Sequence, residues 1–564
     1  MSETAINILV GGSAGQGLAT IGQLMAKALT RAGYEILISQ EYQSRVRGGH
    51  NTFAIRTGPD PIHAGTETID ILVALNQETI DRHSKRLAKG AVVVAGDDLN
   101  VTTGQWLKLP FKELAPKPMF NNVAALGVLG STLCGDISIL EGLLANTFGK
   151  KGQEIVDANL AVLRTAWEWV KKQEFEFTCM PPAPDDAGKR MMLNGNEAIA
   201  LGAMAAGCNF LSFYPMTPST SVALTLIAKA GQTGLIAEQA EDEISAVNMA
   251  LGASYAGARS IVTTSGGGFA LMVEGISLSG MTETPLVTIL VQRPGPATGL
   301  PTRTEQGDLN LALYAGHGDF PRPIFAPGDV EECFWLTHRA FEVAERYQCP
   351  VFMLSDQYLA DSYRSVASFD LDRLPEMTAP VLVPDDPKTY KRYALTDDGV
   401  SPRAVPGYST ALVKADSDEH DESGHIDETP ENRIAQNEKR MRKELGVMEE
   451  AVPPTLYGEE VADLLLVCWG STLGPCLETM ELRTAQGKST SVLHFGQVNP
   501  LCERQFIGWL EGAGTVVGVE GNSTGQFCRH LLGTTGFKID NLVLRYDGYP
   551  LTSAYILEGL NSII

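Results

Sequence analysis

The chain opens on a short apolar run, Ile6–Val10, then a glycine turn, then Leu18–Ala32, where apolar residues recur every three to four positions. That pairing predicts a strand feeding a helix. Ile69–Leu75 and Ala91–Ala95 read as further buried strands and Val123–Leu133 as a helix. The first region is therefore expected to be a mostly parallel sheet covered on both faces. Periodicity stops at Met180-Pro181-Pro182-Ala183-Pro184-Asp185-Asp186, a linker signal. Beyond it, Ile261–Thr264, Leu286–Val291 and Val351–Leu354 predict strands and Glu332–Tyr347 a helix. From about 371 to 455 the chain turns to Asp, Glu, Pro and Lys, with partial order expected at Tyr390–Tyr393 and Glu431–Leu445. Leu464–Val467, Val492–Phe495 and Thr515–Val519 predict a third, smaller α/β unit.

Length and charge narrow the picture. At 564 residues the chain is too long for one core. Its formal charge of −23 repels phosphate backbones and anionic lipid, which argues against nucleic-acid and membrane-surface roles. No run reaches the roughly 18 apolar residues of a spanning helix, and Met1 to Gly12 lacks a signal-peptide layout, so a cytoplasmic location is expected. Nine cysteines are scattered without a C-x-x-C pair. Buried, reduced thiols are expected, and iron–sulfur chemistry is assigned to another chain.

Gly11-Gly12-Ser13-Ala14-Gly15-Gln16-Gly17 follows a strand and opens a helix, an arrangement that either cradles a phosphate or simply turns the chain. More informative is Glu238 to Gly268. Acids at 238, 241, 242 and 243 precede a helix with the small residues Ala246, Ala250, Gly252 and Ala253, and Ser260–Thr264 delivers the chain into Ser265-Gly266-Gly267-Gly268. Acids at that place also suit a plain helix N-terminus. Glu, Ala at +3, Ala at +7 and Gly at +9, then Thr-Ser-Gly at the next strand end, resembles the pyrimidine-binding domain of thiamine-diphosphate enzymes.

Such a domain needs one carboxylic acid. Thiamine reacts through C2, whose proton is removed by the coenzyme's own 4′-imino group, and that tautomer forms when a glutamate shares a proton with ring nitrogen N1′. An apolar pocket favours the protonated acid required. By register Glu243 is the candidate and Glu241 the reserve. The Gly-Asp-Gly that usually opens the diphosphate and Mg²⁺ motif is absent from the sequence, so half of a cofactor site is expected here.

Tyr214-Pro215-Met216-Thr217-Pro218-Ser219-Thr220 and the segment from Gln292-Arg293-Pro294-Gly295 through Thr298-Gly299-Leu300-Pro301-Thr302-Arg303-Thr304-Glu305-Gln306 resemble signature loops of 2-oxoacid:ferredoxin oxidoreductase alpha subunits. So do His317-Gly318-Asp319, Gly399 to Arg403, Glu520-Gly521-Asn522 with Gly525-Gln526, and Asp547 to Pro550. The first 180 residues resemble the family's gamma subunit fused in front, with Arg47-Gly48-Gly49-His50-Asn51 its best match. The fused arrangement is nearest to the 2-oxoglutarate type.

The resemblance implies three α/β domains and an extended acidic linker: a gamma-like domain (1–180), a thiamine pyrimidine-binding domain (190–370), the linker (371–455) and a transketolase C-terminal-like domain (456–564). It implies oxidative decarboxylation of 2-oxoglutarate with coenzyme A to succinyl-CoA and CO₂, with electrons to ferredoxin, or the reverse carboxylation of a reductive cycle. A beta subunit would bring Mg²⁺, the diphosphate half-site and a [4Fe–4S] cluster in an (αβ)₂ heterotetramer. Thr217, Arg293, Arg303 and Arg47 are the expected substrate-binding residues; Tyr214, Pro215, Gly266 and the catalytic Glu243 are expected at the cofactor. Arg303 is as well explained by a solvated loop, and Arg45, Arg47 and His50 by a solvated face. Gly267 replaces the family's usual proline, which suggests a more mobile loop. Alternatives are action on pyruvate or branched-chain 2-oxoacids, a self-sufficient thiamine carboligase, or a non-catalytic scaffold.

Overall fold

The structure is a computed structural model that describes residues 5–43, 49–175, 177, 179–183, 189–377, 388–408 and 410–564. It divides into two compact units. The first comprises Met1–Leu193, Asp361–Phe369 and Thr552–Tyr555; the second holds Asn194–Ala360, Asp370–Leu551 and Ile556–Ile564.

The first unit is built on an eight-stranded sheet. Its strands are β1 (Ile6–Ser13), β2 (Glu35–Glu41), β3 (His50–Gly58), β4 (Ile69–Ala74), β5 (Leu87–Gly96), β6 (Gln105–Leu109), β7 (Arg190–Asn194) and β14 (Tyr363–Ala367). They are ordered β6-β5-β4-β1-β3-β2-β14-β7. Half of this sheet departs from the expected parallel pattern: β1 with β3, β3 with β2 and β2 with β14 are antiparallel. β2 and β3 mix Glu, Gln, Asn and Arg among their apolar residues, so neither stands out as an apolar run. Strand β14, from far along the chain, is fastened by Ser365, whose hydroxyl donates to Glu35 (2.6 Å) and accepts from the Ile36 N–H (3.0 Å). The Leu18–Arg31, Asn121–Thr132 and Gln153–Val170 helices bury their apolar faces in this unit's core.

The expectation of reduced, buried cysteines is corrected at one pair. Cys134 and Cys179 form a disulfide with a Cα–Cα separation of 5.6 Å. The apolar helix before Cys134 stops at Thr132, and a left-handed turn (φ 57°) brings the cysteine to the surface. The other seven are buried free thiols, and burial pushes those of Cys208 and Cys349 up to about 12.

The second unit holds two sheets. The larger contains β8 (Phe210–Phe213), β9 (Ile236–Gln239), β10 (Ser260–Thr264), β11 (Leu286–Gln292), β12 (Ile324–Phe325), β13 (Pro350–Asp356) and β18 (Gln497–Asn499), ordered β18-β12-β13-β11-β10-β8-β9. The smaller contains β15 (Thr455–Tyr457), β16 (Leu464–Trp469), β17 (Thr490–Phe495), β19 (Thr515–Glu520) and β20 (Asn541–Leu544), ordered β15-β17-β16-β19-β20. β18 crosses from the last region to pair with β12, and one apolar cluster runs from Ala246, Phe269 and Phe352 to Trp469, Phe495 and Phe527.

Residues 388–408 and 410–455 are packed against this unit, more fully than a partly ordered linker. Tyr393 is fully buried beside His420, with ring centroids 3.8 Å apart. Two acids of the expected acidic linker are paired: Glu419 with Arg433 (2.6 Å) and Arg440 (2.8 Å), and Glu422 with Lys391 (2.6 Å). Arg403 pairs with Glu345 in the interior (2.9 Å) and donates to the Ser254 carbonyl.

Candidate active site

The Glu243–Tyr255 helix begins where the acidic segment predicts. Asp242 is its N-cap, accepting from the Ser245 N–H at 2.7 Å, so one acid performs the ordinary capping role. The next residue differs. Glu243 is 4% exposed, and its Oε1 is buried without a hydrogen-bond partner among the described residues, whereas Glu241 is exposed. A buried carboxyl oxygen left unsatisfied is costly, and such groups in native proteins mark ligands or catalytic roles. Ala246 and Ala250 face inward; Gly252, expected to permit close packing, is exposed with open space around it.

The glycine turn lies against Glu243. A β-carbon at Gly268 would stand 2.3 Å from Thr264 Oγ1 and 2.5 Å from Glu243 Oε1, so only glycine fits. Gly266 and Gly267 form the first turn of the Gly266–Thr282 helix, not a mobile loop, and the carboxylate of Asp308 sits against Gly266. Thr263 Oγ1, Ser265 Oγ and Asp308 Oδ2 are also buried without partners among the described residues. Burial pushes the Asp308 carboxyl up to about 6, with Arg293 pulling the other way. The same burial lowers Arg293 from its ordinary value, and Asp308 opposes it.

Thr217 and Arg293 are brought together. The guanidinium Nη1 donates to the Thr217 carbonyl across loops 76 residues apart. Tyr214 and Pro215 precede Thr217 on the exposed loop after β8. Arg303 stacks on the Tyr549 ring, 4.6 Å from its centroid, and Arg545 approaches the same ring at 5.9 Å. Arg45 and Arg47 lie outside the described residues. His50 belongs to the first unit and is buried, its Nε2 2.8 Å from His83 Nε2. The Gly11–Gly17 turn is partly filled by its own surroundings: the Thr79, Gln16 and Asn122 side chains occupy the space beside Gly11, Gly12 and Gly17, while Gly15 lies open.

Residues 201–439 match the family model "Pyruvate flavodoxin/ferredoxin oxidoreductase, thiamine diP-bdg", and residues 7–169 match "Pyruvate ferredoxin/flavodoxin oxidoreductase". The chain is 31% identical to 2-oxoacid:ferredoxin oxidoreductase 2, subunit alpha, of Aeropyrum pernix, over 99% of this chain and 98% of that one. The chain belongs to the 2-oxoacid:ferredoxin oxidoreductase alpha subunits. It is 29% identical to 2-oxoglutarate oxidoreductase subunit KorA of Mycobacterium tuberculosis, over 87% of this chain and 81% of the relative. The solved 2-oxoglutarate:ferredoxin oxidoreductase from Magnetococcus marinus, with 2-oxoglutarate, coenzyme A and succinyl-CoA bound, matches with a TM-score of 0.94 at 30% identity, covering 100% of both chains.

Several motif residues of this alpha subunit prove architectural. Glu520 is buried and accepts from the Phe527 and Cys528 N–H groups at the start of the Gln526–Thr535 helix and from the Trp469 indole. Asn522 Oδ1 accepts from the Gly525 N–H at 2.8 Å. His317 is held by Ser277 at 3.0 Å. Asp308 was missed as a site residue, and Gln306, the last residue of the family-like loop, was given no role of its own; the signal available was their place at the end of that loop. Among the described residues, no group of three His, Cys, Asp or Glu is placed to hold a metal ion, and no helix is long and apolar enough to cross a membrane.

Proposed function

We propose that this alpha subunit, with residues 1–180 as a fused gamma-like domain, catalyses conversion of 2-oxoglutarate and coenzyme A to succinyl-CoA and CO₂ with electrons passed to ferredoxin, or the reverse carboxylation. The observation that carries the reading is Glu243, a buried acid with an oxygen left open beside a glycine that admits no side chain. Those features fit the aminopyrimidine half of thiamine diphosphate: Glu243 would hold the proton at N1′, and Gly266–Gly268 would leave room beside it. When bound, thiamine diphosphate supplies the nucleophilic carbon that attacks the 2-oxo group. Arg293, braced on the Thr217 carbonyl, would take the carboxylate next to that group. Arg303 would take the distal carboxylate of a dicarboxylic substrate.

The other half of the cofactor site belongs on a partner. No Gly-Asp-Gly and no C-x-x-C occur in the sequence, so a beta subunit would supply Mg²⁺, the diphosphate contacts and the [4Fe–4S] cluster, in an (αβ)₂ assembly. Ile236 on edge strand β9 and Ile244, Met249 and Leu271 on the two helices that meet at Glu243 stand exposed, an apolar face suited to such a partner. The test is reconstitution with thiamine diphosphate, coenzyme A and a dye acceptor. Turnover of 2-oxoglutarate only with the partner supports the reading. Turnover by the chain alone would make it a carboligase or decarboxylase, a preference for pyruvate would move the substrate, and no thiamine binding in any mixture would leave a scaffold.

A further inference from the structure

In the smaller sheet, β16 and β19 lie side by side and parallel. The chain leaves β16 for β17 on one side and β19 for β20 on the other. The carboxyl ends of β16 and β19 thus form a topological switch point, the place where open α/β sheets usually hold a ligand. Here a side chain from the first half of the unit fills it. Gln306 Nε2 donates to the carbonyl of Trp469, the last residue of β16, at 2.8 Å. Its Oε1 accepts from the N–H of Gly521, just past β19, at 2.7 Å, and its own N–H donates to the Gly521 carbonyl at 2.6 Å. Gln306 is 2% exposed. The strand ends are shaped to receive it: a β-carbon at Gly470 would stand 2.7 Å from Nε2, and one at Gly521 3.2 Å from Oε1.

Neighbouring bonds extend the anchor. The Thr304 N–H donates to the Gly548 carbonyl at 3.2 Å, and Gln526 bridges the Gly307 carbonyl (2.8 Å) and the Asn310 N–H (2.9 Å). The segment held in this way directly follows the loop that bears Arg293 and Arg303.

We propose that Gln306 is a positioning residue for 2-oxoacid binding, which locks the Arg293–Arg303 loop into the switch-point crevice of the C-terminal sheet, so that this crevice serves as the loop's anchor. The inference rests on reading Arg293 and Arg303 as substrate-binding residues. Gln is demanded because one side chain must donate to Trp469 and accept from Gly521 together; leucine does neither, and a carboxylate only accepts.

The experiment uses the chain with its partner subunit and compares Gln306→Leu and Gln306→Glu with wild type. For Gln306→Leu the KM for the 2-oxoacid should rise roughly tenfold or more as two buried hydrogen bonds are lost, with kcat and thiamine diphosphate affinity near wild type. For Gln306→Glu the defect should shrink as the pH is lowered, because a protonated carboxyl regains the donor that Trp469 needs; this variant decides the matter if the leucine variant fails to fold. Hydrogen exchange of residues 300–310, measured on the chain without turnover, should accelerate in both variants. Unchanged KM in both, or a joint fall of kcat and thiamine affinity with no separate KM effect, overturns the proposal. A wild-type complex that does not turn over 2-oxoacids overturns the functional reading instead, while the exchange data still judge the anchor.

Discussion

Two buried glutamates sit near opposite ends of one helix, and the fold treats them in opposite ways. The Gly266–Thr282 helix is 17 residues long, about 25 Å. At its start is Glu243, its Oε1 unpartnered against Gly268. Just past its end is Glu283, in a left-handed conformation (φ 49°), whose carboxylate meets Lys439 Nζ at 2.6 Å and Lys443 Nζ at 2.5 Å while Arg392 donates to its backbone carbonyl. Burial alone would raise the Glu283 carboxyl, but Lys443, Lys439 and Arg392 hold it far below the usual carboxylate range. Arg392 also donates to the Thr282 carbonyl at 3.3 Å, at the helix end that a cation favours electrostatically. An acid whose counter-ions are folded in beside it is closed, and its role is architectural. An acid buried without them is complete only with something from outside the chain.

The sharpest way to break this contrast is at Glu243. Glu243→Gln removes the only proton that the side chain can share with N1′, and turnover of the reconstituted enzyme should fall about 10²–10⁴-fold with the melting temperature nearly unchanged. Glu241→Gln should remain near wild type, since Glu241 is exposed. The reverse pattern would move the role two residues upstream. Glu283→Ala should do the opposite: two buried ammonium groups lose their counter-ion, at a cost of about 3–5 kcal/mol of stability, read as a lower melting temperature with little change in activity per folded molecule. A Glu283→Ala protein that melts like wild type would refute the architectural assignment.

Arg303→Ala probes whether the reach of the site extends to a distal carboxylate. Loss of a charged hydrogen-bond partner is worth roughly 1.5–3 kcal/mol, so kcat/KM for 2-oxoglutarate should fall about 10–150-fold more than for pyruvate. Equal losses would leave Arg303 as the partner of Tyr549 that the structure shows.

What was legible in the sequence follows the range of the interactions. Glu243 and the glycine turn could be found because acid, small-residue helix, strand and turn are contiguous, and their spacing carries the site. The anchoring role of Gln306, which closes the family-like loop, could not: its partners Trp469 and Gly521 lie 163 and 215 residues away. Glu419 and Glu422 read as part of an extended acidic linker for the same reason, because Arg433, Arg440 and Lys391 reach them only in the folded chain. Strands β10, β11, β13 and β16, apolar runs buried on both faces, were readable directly; β2 and β3, which depend on pairing with each other, were not.

A third acid refines the rule and has the smallest expected effect. Asp308 is half-buried, with Oδ2 covered and unpartnered among the described residues, and its N–H donates to Gln292 at 3.0 Å. Arg293 stands near enough to oppose burial but not to cancel it, so the carboxyl is raised to about 6 from an ordinary 3.8. Between those values the folded chain binds more protons than the unfolded one, so stability must fall as the pH rises through about 4 to 6 and then level off. Partial exposure reduces the effect to on the order of 1 kcal/mol. Asp308→Asn carries no such charge, so its melting temperature relative to wild type should climb by a degree or two across that window. Melting curves of both proteins from pH 4 to 8 check this. A constant difference across the range would mean that Asp308 has a stronger partner than the structure gives it, and would place it with Glu283 among the closed acids.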